Sequence, residues 1–518
     1  MRSRMRGTWR RSGKNLWPMG AAMARTAGIS LAFCLLGAGS ALAAEGWQEE
    51  NGQWYYYENE MKKMGQWLYE DSDNSWYYLD DSGRMCVGER EILGDTYFFG
   101  EDGRMMTGWV FCPDGEIPER FESDEMERDV FFCGDDGKRV SGWVQTLSPE
   151  DHALLEDGEI FQGIQDEEYE QGWYCFKDSG QAYYNEKKRI GEKLAVFDET
   201  GKAMTGWIYD LGEGSSPRYV KVDKNTSEAD ISLYAQTPEN YMYGMGDGSI
   251  ARNQWFDTRP QGMEEQEDED SRSYYADSQG YIVTDVVRGS GASIAARKKA
   301  VKIGQIGAYT FEDWSTDVNV TRIDGKYYLI ENSGTRIDGI IYLSGGENDG
   351  DFRDGIYCFD NGAAMETGHL LKENTSDDFG SDGYCYYYYF VDRTDSDFSK
   401  GQGFTGVDDG RLYYQGLAVA AQTHDWEVVY VPTLADQKDG ATGLFLIDGR
   451  GMVKKGSSQG STCRSGDGNK YKVVKETEQD EKYGWHIYIV DEDENGEEVL
   501  IPVTDDMADY IHWDAVEG

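Results

Sequence analysis

A fourteen-residue block that recurs along the chain constrains the fold more than any other feature of the sequence. It reads WYYLDDSGRMCVGE from Trp76, TYFFGEDGRMMTGW from Thr96, VFFCGDDGKRVSGW from Val130 and LAVFDETGKAMTGW from Leu194. In each copy a glycine follows seven residues after the first position, and a second glycine follows at twelve. Looser copies begin at Trp54, Trp173, Ser273, Ile356 and Leu444. Such a repeat predicts an array of similar structural units.

Each block has the composition of a β-hairpin. Three or four strand-forming residues, mostly aromatic, precede a turn of Asp, Ser, Asn and Gly, residue types that tolerate positive φ angles. One hairpin of this size is only marginally stable in water, so neighbouring hairpins must bury one another's apolar faces. The sequence predicts an all-β fold, an elongated solenoid of stacked short β-hairpin repeats with irregular acidic loop insertions. The longer insertions fill residues 145–170, 211–270 and 373–410.

The first 43 residues read as a secretory signal peptide. Seven basic residues and no acidic one precede the apolar run from Ile29 to Leu36, and Ala41 and Ala43 provide a cleavage site. No later stretch approaches the roughly 20 apolar residues of a membrane span. We therefore expect a secreted protein, cell-wall associated or extracellular. Its two predicted regions are an N-terminal repeat array at 44–210 and a divergent repeat region with insertions at 211–518.

The charge of the chain excludes one class of partner. It carries 97 acidic and 50 basic side chains, and seven of the basic ones lie in the leader. A surface this negative repels a phosphate backbone, so no nucleic-acid partner is expected. The main basic cluster after the leader lies in SGASIAARKKAVKIG from Ser290, which reads as a short helix or an edge strand.

The segment GWQEENGQWYYYENEMKKMGQW, residues 46–67, resembles the cell-wall-binding repeats of Gram-positive surface proteins, including choline-binding and glucan-binding repeats. Similar spacing extends the resemblance over most of residues 45–460. In the choline-binding branch the resemblance implies aromatic cages between consecutive hairpins. The physical basis is the attraction of a quaternary ammonium to ring faces, about 2 kcal/mol when desolvated. A flat sugar face packs on the same rings.

The resemblance implies two cages near the N-terminus. One combines Trp47, Trp54 and Tyr78, and the other combines Trp67, Trp76 and Phe98. Later copies lose partners, since Glu89 and His369 stand where a closing tryptophan is expected. Binding is therefore expected between residues 47 and 98, with the later repeats acting mainly as a scaffold.

The sequence predicts no catalytic or metal site and no cofactor. None of the five histidines lies in H-E-x-x-H, and the strand-embedded cysteines read as small buried hydrophobes. DEDENGEEVLIP from Asp491 is similar to an EF-hand loop, but Pro502 replaces the bidentate glutamate, so a hairpin turn is expected.

Three functions remain open at this stage. The first is a non-catalytic protein that holds to choline-decorated teichoic acid or other wall polymers. The second is a released adhesin or lectin-like factor that binds glucan or host glycans. The third is a cell-wall hydrolase whose catalytic part lies in the divergent C-terminal region.

Overall fold

The computed structural model describes residues 45–123, 126–153, 171–263, 270–303, 311–345, 352–359, 365–373, 385–421, 425–466 and 468–511. The predicted signal peptide lies outside them. The described chain divides into two compact units. The first comprises the residues up to Gln66 with Leu79–Met85, and the second comprises Trp67–Tyr78 and the residues from Cys86 onward.

Short antiparallel hairpins make up most of the described chain up to residue 197. Their strands are β1 (Gly46–Glu50), β2 (Gln53–Glu58), β3 (Met61–Lys62), β4 (Gln66–Glu70), β5 (Ser75–Leu79), β6 (Gly88–Ile92), β7 (Asp95–Phe99), β8 (Gly108–Phe111), β9 (Glu119–Arg120), β10 (Val130–Cys133), β11 (Gly142–Thr146), β12 (Gly172–Phe176), β13 (Glu186–Ile190) and β14 (Lys193–Phe197). They form separate sheets of two or three strands. Helix α1 (Pro149–Ala153) follows β11.

Wider sheets appear in the following part of the chain. The strands are β15 (Gly206–Asp210), β16 (Tyr219–Val222), β17 (Tyr241–Gly244), β18 (Gln254–Thr258), β19 (Arg272–Ala276), β20 (Ala292–Ile303), β21 (Phe311–Ile323), β22 (Lys326–Glu331), β23 (Arg336–Ile337), β24 (Gly339–Ser344), β25 (Gly355–Phe359), β26 (Gly368–Glu373) and β27 (Cys385–Phe390). Helix α2 (Glu228–Tyr234) lies between β16 and β17. Six strands pair in the order β23-β22-β21-β20-β24-β25.

The C-terminal part completes a five-stranded sheet with β26 and β27 and adds a three-stranded and a four-stranded sheet. Its strands are β28 (Gly406–Asp408), β29 (Arg411–Tyr414), β30 (Leu417–Ala418), β31 (Glu427–Tyr430), β32 (Leu444–Ile447), β33 (Ser461–Arg464), β34 (Lys470–Val474), β35 (His486–Glu492), β36 (Glu498–Pro502) and β37 (Asp509–Tyr510). Helices α3 (Pro432–Ala435) and α4 (Asp480–Tyr483) are single turns. The predicted all-β class and the succession of hairpins are confirmed. No helix in the described part of the chain has the length and apolar character that a membrane crossing needs.

An aspartate closes the turn that follows the aromatic strand of many blocks. The Oδ1 atom of Asp80 accepts hydrogen bonds from the backbone amides of Ser82 and Arg84, at 2.8 and 2.9 Å. Asp198 and Asp448 repeat this arrangement. Such a side chain satisfies the amides of a tight turn without the help of a second strand. The recurring Asp and Gly of the sequence are therefore explained by local hydrogen bonding.

Consecutive blocks are joined by one recurring backbone hydrogen bond. The carbonyl of a block's first residue accepts from the amide nine positions into the following block. Examples within the second unit are Met105 to Trp76 at 2.8 Å, Ala203 to Trp173 at 2.7 Å, Ile250 to Leu194 at 2.7 Å and Ile282 to Tyr241 at 2.9 Å. This bond fixes the register in which one hairpin stacks on the previous one.

The last two bonds identify a block that begins at Tyr241 and that the sequence pattern did not reveal. Its position twelve is Asn253 rather than glycine, with φ of 49°, and Asn185 takes the same role with φ of 48°. Asparagine is among the residues that adopt the left-handed region most easily, so it replaces glycine there. The insertion at 211–270 therefore contains a repeat hairpin as well as α2.

Two expectations about the C-terminal half have different outcomes. The segment from Ser290 is neither a helix nor an edge strand, because residues 299–301 of β20 pair with both β21 and β24. Lys298 is buried there and its ammonium lies 3.0 Å from Asp354. The hairpin turn after Asp491 is confirmed, since β35 pairs with β36 and Asp493 accepts hydrogen bonds from Asn495 and Glu497.

Candidate aromatic binding site

The closing tryptophan of a block lies across the hairpin from the third residue of the next aromatic strand. In the first unit Trp47 pairs with Tyr56, and their ring centroids are 5.2 Å apart. In the second unit Trp67 lies 5.1 Å from Tyr78 in the same relation. Side chains directly opposite on one face of an antiparallel pair must touch, so the register alone produces these ring pairs.

A larger group of rings surrounds Trp67, and we call it the open cage. Its members, all in the second unit, are Trp67, Tyr69, Trp76, Tyr78, Tyr97 and Phe99. Trp67 meets Trp76 edge to face at 6.3 Å and 87°, and its centroid lies 4.9 Å from that of Tyr97. The ring centroid of Tyr69 lies 5.0 Å from that of Trp76.

Two rings of the open cage reach solvent. Trp76 is 44% exposed and Tyr69 is 41% exposed, whereas Tyr97 is buried and its burial raises the pKa of its hydroxyl. The open cage therefore combines a buried aromatic floor with an accessible aromatic rim. Its rings present negative π faces, which attract a cation that lacks N–H donors, and flat surfaces on which a sugar ring can stack.

The structure brings the predicted residues together only in part. Trp67, Trp76 and Tyr78 lie in the open cage, although Tyr78 was expected to complete the set of Trp47 and Trp54. Phe98 is fully buried, and its ring packs on Phe131 at 5.2 Å. Its chain neighbours Tyr97 and Phe99 meet Trp67, because successive residues of a strand point to opposite faces.

Trp47 and Trp54 lie in the first unit. Trp54 is paired with Glu49, two residues beyond Trp47 along β1, so both tryptophans and Tyr56 share one face of the β1–β2 hairpin. The opposite face carries Tyr55, whose ring centroid lies 3.4 Å from the ammonium of Lys62. A tyrosine of the first hairpin thus contacts a cation of the same chain, on the face away from Trp47 and Trp54.

Three histidines lie among the described residues, and each contacts an aromatic ring or a carboxylate. Burial lowers the pKa of His152, which packs on Phe132. His369 stacks on Tyr389 and its Nε2 atom lies 2.8 Å from Asp408. His486 lies 3.2 Å from Asp480, a buried aspartate that accepts the amide of Glu476. His424 and His512 lie outside the described residues.

The cysteines of the aromatic strands have the environment that their sequence context predicts. Cys133, Cys175 and Cys358 are buried in their strands, as expected, and the side chain of Cys385 lies outside the described part. Burial raises the pKa of the Cys175 thiol to about 11, which keeps it protonated. Among the described residues, no group of three or more His, Cys, Asp or Glu side chains is arranged to hold a metal ion.

The hairpins, their stacking register and the aromatic faces between them define a β-hairpin repeat protein. Residues 44–90 match the family model of the choline-binding repeat. The resemblance to cell-wall-binding repeats is therefore confirmed. The matched segment contains the four tryptophans of the two predicted cages, Trp47, Trp54, Trp67 and Trp76.

The chain is also similar to parts of several individual proteins. Glucosyltransferase-S of Streptococcus mutans is 25% identical over 136 residues, and the match spans 26% of this chain but 7% of the length of that curated relative. Among solved structures, the choline-binding domain of CbpL from Streptococcus pneumoniae is 18% identical, with 46% of this chain and 87% of that chain covered and a TM-score of 0.26. Choline binding protein F from the same organism is 16% identical, with 75% and 98% covered and a TM-score of 0.26.

Proposed function

We propose that the protein is a secreted, non-catalytic cell-wall-binding protein that holds to choline-bearing wall polymers through its aromatic faces. The observation that carries the proposal is the open cage, in which the 44% exposed ring of Trp76 stands over a buried aromatic floor. The family match at residues 44–90 includes Trp76 and supports choline as the ligand.

Short-range ring contacts suit the charge of this chain. A formal net charge of −47 opposes approach to a phosphate-bearing polymer. A quaternary ammonium group on that polymer has no hydrogen-bond donor and is weakly hydrated, so ring faces compete well for it at about 2 kcal/mol per desolvated contact. Sites on the first hairpin and in the open cage, engaged together, raise the overall affinity through multivalency.

Retention on a choline-coupled resin tests the proposal. The purified chain should bind and elute with free choline, whereas Trp76→Ala should elute early and Trp76→Phe, which keeps an aromatic face, should be retained partly. Leu93→Ala is the matched control, because Leu93 is 98% exposed on the neighbouring β6–β7 hairpin and outside the open cage. Equal retention of Trp76→Ala and Leu93→Ala, with unchanged circular dichroism, contradicts the assignment of the ligand to the open cage.

A glucan or host glycan is the second candidate ligand, favoured by the similarity to a glucosyltransferase. The same rings offer flat apolar faces to a sugar. A dextran column separates the two ligands. Retention on dextran that free choline does not release, lost in Trp76→Ala, replaces choline by a glycan in the proposal.

The non-catalytic and secreted parts of the proposal have their own tests. Incubation of the full chain with purified wall should release no reducing sugar and no free amine. The secreted product should begin near Ala44, after cleavage of the predicted leader. Wall hydrolysis that a single substitution abolishes contradicts the first statement, and retention of the leader on the exported chain contradicts the second.

A further inference from the structure

A second pair of tryptophans repeats the geometry of the open cage. Trp143 and Trp173 meet edge to face at 6.4 Å and 77°, and Phe197 lies 5.7 Å from Trp143 at 31°. The matching values in the open cage are 6.3 Å and 87° between the tryptophans, and 5.9 Å and 35° to the phenylalanine. The two sites share a framework of three rings.

The two other positions that carry rings in the open cage are different in the Trp143 site. The open cage has Tyr78 as the third residue of its aromatic strand and Tyr97 as the second residue of the following block. The Trp143 site has Cys175 and Ala195 at these positions, and both are fully buried. Cys175 and Ala195 are much smaller than the two tyrosines of the open cage. They leave space beside the indoles of Trp143 and Trp173, and another side chain must fill it.

Lys193 supplies an ammonium group at this place. Its Nζ atom lies 5.3 Å from the ring centroid of Trp143 and 5.6 Å from that of Trp173, within the range of a cation–π contact. The same atom lies 2.9 Å from the Oδ2 atom of Asp247 and 3.3 Å from the carbonyl oxygen of that residue. The cation is thus held between two indoles and an anchoring carboxylate.

The anchor belongs to a rigid turn of the block that begins at Tyr241. Asp247 accepts the amide and the hydroxyl of Ser249, and the indole N–H of Trp173 donates to the carbonyl of Gly246 at 3.2 Å. The hydroxyl of Ser249 and, after it, the ammonium of Lys193 lower the pKa of Asp247 to about 2. The carboxylate is therefore ionised at any physiological pH and keeps Lys193 in place.

We propose that Trp143 and Trp173 form a masked cage for a small quaternary ammonium cation, and that Lys193 is the intramolecular occupant that keeps this cage closed. The proposal rests on the proposed function only for the choice of choline as the ligand. The ammonium group of Lys193 is part of the chain, so it stays next to the cage at a high effective concentration. Free choline must displace this tethered group, and it therefore competes for the cage at a disadvantage.

Equilibrium dialysis with labelled choline, on the full chain, counts the sites. Lys193→Ala should bind about one more equivalent of choline than the unaltered chain, since removal of the ammonium frees the ring faces. Lys193→Met, which removes the charge but keeps an unbranched apolar stem, should gain less. Lys188→Ala is the matched control: Lys188 is an exposed lysine on β13, the partner strand of the same hairpin, and its loss changes the net charge equally.

Trp143→Ala in the Lys193→Ala background locates the added site. Loss of the extra equivalent supports the proposal. Stoichiometry equal to that of the unaltered chain in Lys193→Ala, with an unchanged near-ultraviolet circular dichroism spectrum, overturns it. An unaltered chain that binds no choline contradicts the proposed function, whereas an equivalent gained by Lys193→Ala in that case still supports the masked cage.

Discussion

Trp67 and Trp207 occupy the same closing position of the repeat, yet they have different environments. Trp67 lies in the open cage, next to the exposed ring of Trp76. Trp207 is fully buried among Tyr241, Phe256 and Tyr274. The difference comes from the chain that follows. A short turn follows Trp67, whereas an insertion follows Trp207, and its carbonyl at Arg259 accepts the indole N–H at 2.8 Å.

Trp109 is covered in the same way as Trp207. It is 1% exposed, its indole donates to the carbonyl of Leu147, and the side chains of Phe121 and Met126, from the segment between β8 and β10, pack in the same cluster. An insertion that folds back over a closing tryptophan therefore turns an accessible residue into a core residue. Trp143 precedes the 145–170 insertion and remains partly exposed, so an insertion alone does not bury the closing tryptophan. Under the proposed function, repeats with an accessible tryptophan bind the ligand and the others stabilise the array.

The largest expected effect separates these two roles. Trp207→Ala should lower the free energy of unfolding by about 3–5 kcal/mol, because it empties a fully buried site. Trp76→Ala should lower it by about 1 kcal/mol or less, because nearly half of that ring is already in water. Urea unfolding followed by circular dichroism measures both. Similar losses for the two variants would mean that insertions do not change the role of the tryptophan.

The region around Trp207 should also lose more stability in acid than the region around Trp67. Asp210, three residues after Trp207, is buried, and burial alone would raise its pKa. Hydrogen bonds from Arg218, Tyr281 and the amide of Gly212 outweigh this effect, so the pKa of Asp210 lies below its usual value. A lowered carboxyl pKa stabilises the fold above about pH 4 and ceases to do so as the pH falls through the folded-state pKa.

Asp210→Asn tests this. At pH 7 the substitution should cost about 2–3 kcal/mol, because the bidentate pair with Arg218 at 2.9 and 3.1 Å loses its charge. The difference from the unaltered chain should shrink as the pH falls below about 4 and through the lowered pKa of the native carboxyl. Asp257→Asn, on an exposed position of β18, is the control. A difference that stays constant with pH contradicts the argument.

The hairpins and the residues of the open cage were predictable to different degrees. The Asp and Gly of each turn act locally, so the blocks from Trp76, Thr96, Val130 and Leu194 predicted hairpins correctly. The block from Tyr241 was missed because Asn253 stands in the glycine position. The partner of Trp67 depends on which face of the next hairpin turns inward. A shift of one residue inverts that choice, and so Phe98 was expected where Tyr97 and Phe99 lie.

The covering of Trp109 and Trp207 could not be predicted from the repeat. It depends on where long insertions fold back, which is tertiary packing that no periodic pattern encodes. Lys193 was also missed, although one signal was present. Cys175 and Ala195 are small residues at positions that are aromatic in other blocks, and such a gap must be filled by another side chain.

A smaller effect tests the asparagine that hid the block from Tyr241. Asn253→Ala should destabilise the chain by about 1 kcal/mol, because alanine adopts a positive φ reluctantly, whereas Asn253→Gly should be nearly neutral. Thermal unfolding of both variants provides the measurement. Equal melting temperatures for the two would mean that the side chain of Asn253, rather than its backbone conformation, sets the requirement.

The smallest expected effect is a gain of stability, at Leu93 in the turn between β6 and β7. Leu93 has φ of 55° in the turn between β6 and β7 and is 98% exposed, so it has an unfavourable backbone conformation with no burial in return. The corresponding turn between β1 and β2 has Asn51 followed by Gly52, the preferred pair for such a hairpin. Leu93→Asn should therefore stabilise the chain by about 0.5–1 kcal/mol without changing choline retention. Weaker retention in this variant would show that the β6–β7 turn, in addition to Tyr97 and Phe99 of β7, contributes to binding at the open cage.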